Sequence, residues 1–150
     1  MTTPIAQDWR TFVARTGLVL LIGTCSASAG FAVPIGELLV AGQVAVSRAG
    51  SGTLVTQTSD RAVINWQGFD IGLGETVRFA QPSPTSVTLN RVLGQKPTDI
   101  LGSLQANGQV FVLNANGVLF GRTAQVDVGG LLASTLGLAS ADFMAGRYRF

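Results

Sequence analysis

Few side chains in this sequence could carry out chemistry. Histidine is absent, and there is one lysine, Lys96, and one cysteine, Cys25. No Ser-His-Asp or Cys-His catalytic set can therefore be assembled, and metal sites of the His/Cys kind are excluded. A Ser-Lys nucleophile would have to use Lys96, which lies in the polar, proline-containing stretch Gln95-Lys96-Pro97-Thr98-Asp99, the setting of a solvated surface lysine. The carboxylates Asp60, Asp70, Glu75, Asp99, Asp127 and Asp142 are far apart, and nothing marks a pair for acid/base work. Gly72-Leu73-Gly74 lacks the third glycine of a dinucleotide loop, and no phosphate-binding lysine follows a glycine run. Val126-Asp127-Val128-Gly129-Gly130 has its aspartate and glycines in the wrong places for a calcium-binding nonapeptide repeat. The remaining candidates are amides: Asn90, Asn107, Asn114 and Asn116. An asparagine turned inward at a corner can satisfy backbone groups and an amide in the next layer of chain, a structural role. No cofactor is implied.

Those amides must be positioned by strands. Hydrophobic residues make up 47% of the 150-residue chain and charged residues 12%, less than the roughly 25% of ordinary soluble domains. Nineteen glycines point to short strands and frequent turns in one modest all-β domain. The nine arginines and one lysine are scattered, with no nucleic-acid footprint. The pI near 9.3 reflects the missing histidine more than a strong basic excess, since the net charge is only +2.

Strand candidates follow one another at close spacing. They lie in 37–52, 53–59, 61–72 and 75–81, then after a proline-broken loop at 81–86 in 86–94. Residues 95–99 read as a turn. The most regular part is ILGSLQANG, QVFVLNANG, VLFGRTAQVDVGG and LLASTLG, in which Asn107-Gly108 and Asn116-Gly117 each close a short apolar run. Asn-Gly favours positive φ and fits either a hairpin or a corner. Successive hairpins would give an antiparallel meander, and stacked corners a β-solenoid. Both faces of Val110–Leu113 and Val118–Phe120 are apolar, which favours strands packed on both sides, and hence the solenoid. Trp66, Phe69, Phe79, Phe111 and Phe120 are then expected in the interior or over an open end.

Residues 1–32 differ in character. Arg10 and Arg15 precede the apolar Gly17–Gly23, followed by small residues from Ser26 to Ala32. This is the order of a helical secretory signal peptide, with cleavage expected after Ala29 or Ala32. Its apolar core is shorter than the roughly 20 residues that span a bilayer. Removal would take away Cys25, so the mature domain, 33–150, could not rely on a disulfide.

INWQGFDIGLGETVRF, QPSPTSVTLNRVLG, ILGSLQANGQVFVLNANGVLFG and AQVDVGGLLAST occur in that order. Together they resemble the N-terminal two-partner-secretion domain, or haemagglutination activity domain, of filamentous-haemagglutinin-like exoproteins. The resemblance runs from about Val44 to Phe150. It implies a right-handed parallel β-helix with an N-terminal β cap. It also implies export by the general secretory machinery, then recognition by an outer-membrane β-barrel transporter with periplasmic binding domains. The family's Asn-Pro-Asn-Gly motif falls on Asn114, Ala115, Asn116 and Gly117, with Ala115 where proline is usual and a looser corner expected. Asn90, Arg91, Asn107 and Gly108 are weaker candidates for the same role. The family domain ordinarily continues beyond Arg147-Tyr148-Arg149-Phe150, so an incomplete solenoid is expected. Adhesion to a host surface would belong to a passenger region not present in this sequence, and a polysaccharide-degrading β-helix enzyme is an alternative from fold alone.

Overall fold

The computed structural model describes residues 32–150. The leader reading, residues 1–32, lies outside them apart from Ala32. The chain enters through a cap made of β1 (Leu38–Ala41) and β2 (Val44–Ala49) and then winds in four coils. The first holds β3 (Gly52–Gln57) and β4 (Arg61–Trp66). The second holds β5 (Thr76–Ala80), β6 (Val87–Val92) and β7 (Thr98–Ile100). The third holds β8 (Ser103–Ala106), β9 (Gln109–Asn114) and β10 (Val118–Phe120). The last holds β11 (Gln125–Asp127) and β12 (Gly130–Ser134), followed by the short helix α1 (Ser140–Met144).

Like strands of successive coils stack in parallel, giving three faces: β3-β5-β8-β11, β4-β6-β9-β12 and β7-β10. Arg61, Val87, Gln109 and Gly130 occupy one register position in successive coils of the second face. The solenoid reading therefore holds and the meander does not. β8 and β9, joined only by Asn107-Gly108, lie in different sheets. Among the described residues, antiparallel pairing is confined to the entry segment and cap, where Ile35 bridges Gly68, β1 lies against β4 and β2 against β3. Val44 and Val46 of β2 pack against the first coil's core, and Arg48 fastens the entry segment by donating to both Glu37 oxygens and to the Pro34 carbonyl. That guanidinium holds the Glu37 carboxyl below its usual range.

Side chains alternate between two cores, which explains the two-sided apolarity of β9. Val110 and Val112 face the solenoid interior with Val55, Ile64, Trp66, Phe69, Phe79 and Leu104. Phe111 and Leu113 face outward into a second core, where Leu138 and Phe143 fold back over Val63, Val87 and Leu89. No strand or turn signal announces α1. It forms where an otherwise bare apolar sheet face needs cover.

Three expectations need correction. The polar turn at 95–99 is partly strand, because β7 begins at Thr98 and pairs with β10. The apolar run Val118–Phe120 is not packed on both sides, since Leu119 is 59% exposed and Phe120 43%. The last inward positions of the described solenoid have no further coil over them. Finally, Gly108 does not take a positive φ, although Gly117 does, at 109°.

Candidate functional site

Of the candidate residues, Asn107, Gly108, Asn114, Asn116 and Gly117 gather at the two ends of one strand, β9. At its far end Asn114 is buried, 1% exposed. Its side-chain nitrogen donates to the Lys96 carbonyl at 2.9 Å and to Thr98 Oγ1 at 3.0 Å, both in the preceding coil. Its side-chain oxygen accepts the Asn116 backbone N–H at 2.9 Å, an Asx turn. The Gly117 N–H then donates to the Asn114 carbonyl at 2.9 Å, closing a four-residue β-turn. Among the described residues, no residue other than glycine has a positive φ. The turn is therefore not type II, which needs one at its third position, and it has glycine at the fourth as type I favours. Asn116 reaches down one coil, its side-chain nitrogen donating to the Gly94 carbonyl at 2.9 Å, and the Gly117 carbonyl accepts the Thr98 N–H at 2.9 Å. Asn114, Asn116 and Gly117 thus form a corner between β9 and β10. Ala115, exposed at the second position of the turn, does not prevent it.

At the near end of β9, Asn107 exchanges both halves of its amide with the Gln81 backbone. Its oxygen accepts the Gln81 N–H at 2.8 Å, and its nitrogen donates to the Gln81 carbonyl at 2.7 Å. The Gln81 side chain in turn accepts the Gly108 N–H at 2.9 Å and donates to the Gln109 carbonyl at 3.0 Å and to Thr88 Oγ1 at 3.1 Å. Thr88 donates to Gln57, which in turn donates to the Ser59 carbonyl at 2.6 Å. Gln57 ends β3, and Gln81 and Asn107 immediately follow β5 and β8 in the next two coils, forming a ladder of amides at one corner. The sequence reading passed over Gln57 and Gln81. The signal available was an amide at the end of each strand candidate, visible only once the coils are aligned.

Asn90 and Arg91 are not at a corner. They lie inside β6 and face opposite ways. Asn90, fully buried, accepts the Trp66 indole N–H at 2.9 Å and donates to the Phe111 carbonyl at 3.2 Å, spanning three coils. Arg91 faces outward and fastens the C-terminal fold-back through the Leu138 carbonyl at 2.6 Å and Ser140 Oγ at 3.2 Å. Phe143 and Tyr148 then cover Phe111, with ring centroids 5.9 and 5.1 Å away. Among the described residues no group of three His, Cys, Asp or Glu side chains is placed to hold a metal ion. What this constellation does is join neighbouring coils.

Comparison with known proteins agrees with that architecture. A heme/hemopexin-binding protein of Haemophilus influenzae is 35% identical over 136 residues, covering 88% of this chain and 15% of that protein. Its counterpart in the Rd strain is 40% identical over 103 residues, covering 69% of this chain and 11% of that one. The crystal structure of the HMW1 secretion domain from Haemophilus influenzae superposes with a TM-score of 0.72 at 34% identity, covering 75% of this chain and 30% of that one. The chain thus spans only a small part of the relatives it matches. The model of the TPS secretion domain matches residues 32–149, and with the coil stacking described above this places the chain in the TPS family of two-partner secretion domains.

Proposed function

We propose that this domain is the address by which its exoprotein is handed to a dedicated outer-membrane β-barrel transporter, and that the corners of β9 act in the folding step that follows. The observation that carries the reading is the family match over residues 32–149 together with an intact corner at Asn114–Gly117. The leader, residues 1–32, takes the chain through the inner membrane by the general secretory route. In the periplasm the unfolded chain offers extended segments to the transporter's periplasmic domains, by strand addition and side-chain pockets. Outside the cell, coils form in succession, and each new coil covers the previous one and opposes backsliding. The side-chain bonds of Asn114, Asn107 and Asn90 support this order, because each reaches one coil back or one coil ahead. The role is in secretion and not in catalysis. The binding named for the relatives is not carried over, since the chain matches 15% and 11% of their lengths.

Export from cells carrying the chain with and without a matching transporter tests this. Transporter-dependent release into the medium is the expected result. Asn116→Ile should lower that release while leader cleavage is unchanged. Release that ignores the transporter would overturn the address, and normal release of Asn116→Ile would overturn the role of the corner.

A further inference from the structure

Both corners contain Asn-Gly, and this dipeptide has chemistry of its own. With no side chain on the following residue, the glycine backbone nitrogen can reach the asparagine Cγ. A C–N bond forms, the Cγ–Nδ2 bond breaks, and the side-chain nitrogen leaves as ammonia with the proton of the attacking amide. Water then opens the resulting succinimide at either C–N bond, giving aspartate or isoaspartate. The balance is one water taken up and one ammonia released, with no oxidant or cofactor.

We propose that Asn107 and Asn116 are deamidation sites that are open while the chain is unfolded and closed by the two corners once it folds. In the fold, the Gly108 nitrogen is committed to Gln81 Oε1 at 2.9 Å in a buried setting, and the Asn107 amide is held at both ends by the Gln81 backbone. The Gly117 nitrogen is committed to the Asn114 carbonyl at 2.9 Å, and Asn116 Nδ2 to the Gly94 carbonyl at 2.9 Å. A nitrogen already donating elsewhere does not attack a side chain pinned to another coil, so reaction in the folded state requires local opening. Nor can a bulkier neighbour remove the hazard. A Cβ on Gly108 would lie 2.6 Å from the Ser86 carbonyl oxygen, and Gly117 has a φ of 109°.

The product damages the structure that would have prevented it. Aspartate at 107 keeps an acceptor for the Gln81 N–H but sets a carboxylate against the Gln81 carbonyl. At 116 the new carboxylate faces the Gly94 carbonyl and Asn114 Oδ1, both acceptors, in place of a donor. A chain held unfolded therefore loses its folding corners with time. The consequence for export rests on the secretion reading, but the chemistry does not.

The test holds the full chain in native buffer and in guanidinium chloride at the same neutral pH and temperature, with conversion at each asparagine read by peptide mass mapping. Both sites should convert in denaturant. The native sample should be at least about tenfold slower at Asn107, the equivalent of about 1.4 kcal/mol of corner opening. Asn107 should also be better protected than Asn116, because Gly108 is the buried glycine. Equal rates in the two samples would overturn the proposal. Freshly made Asn116→Asp should unfold at lower denaturant than Asn116→Ala, and a midpoint at or above that of the alanine variant would overturn the damage step. Neither readout depends on a transporter, so failure here is distinguishable from failure of the export assay.

Discussion

The corner at Asn107-Gly108 and the corner at Asn114–Gly117 flank the same strand and share a dipeptide, but their glycines are required for different reasons. Around Gly108 there is no room. The Ser86 carbonyl, Gln81 Oε1 and the Ser83 carbonyl would lie 2.6, 2.7 and 2.9 Å from an added Cβ, while the backbone φ is ordinary. Around Gly117 nothing lies within 4 Å, and only the positive φ needs glycine. The asparagines divide in the opposite sense. Asn114 is buried and binds side chain and backbone of the coil before it, whereas Asn107 is exposed and binds backbone alone. One corner is tight at its glycine and the other at its asparagine.

The largest expected contrast is between alanines at the two glycines. Gly108→Ala should destabilise by about 3 kcal/mol, because the contacts to be displaced are mostly backbone. Gly117→Ala should cost only about 1 kcal/mol of backbone strain. Urea midpoints at unchanged slope measure both, and equal losses would remove the distinction between crowding and conformation. A smaller contrast separates the asparagines. Asn114→Ala should cost about 2 kcal/mol, leaving buried Thr98 and the Lys96 carbonyl short of a donor, and Asn107→Ala about 1 kcal/mol. The reverse order would show that the amide ladder through Gln81 and Gln57 outweighs the Asx turn. Smallest is Ala115→Pro, which should stabilise by about 0.5 kcal/mol, since the second position of this turn takes the φ that proline fixes and the unfolded chain loses freedom. A destabilised variant would mean the corner's backbone differs from a type I turn.

Much of this was legible beforehand because it is local. β9 has an apolar residue at every position from Val110 to Leu113, and only packing on both sides satisfies such a strand in water. The Asx turn of Asn114 and the turn glycine at 117 act within four residues, so their sequence signal survives into the structure. Gln57 and Gln81 were missed for the complementary reason. Each is ordinary among its neighbours, and their relation exists only after coils of unequal length are brought into register. Phe120 was expected in the interior or over an open end, and it takes the second place: its register partner Ile100 is buried, while Phe120 is 43% exposed because no further coil in the described residues covers it.

By itself the sequence determined the strand-rich composition, the lack of histidine-based chemistry, the positions of the corners and the resemblance that led to the family. Those are properties of single residues and short windows, where backbone preference and hydrophobic alternation act directly. Only the tertiary structure decided that Asn90 spans three coils, that Arg91 fastens a fold-back from Leu138 and Ser140, and that Gly108 is a steric need and not a conformational one. Each of these depends on which residue of a neighbouring coil arrives opposite, and stacking, not sequence distance, sets that meeting.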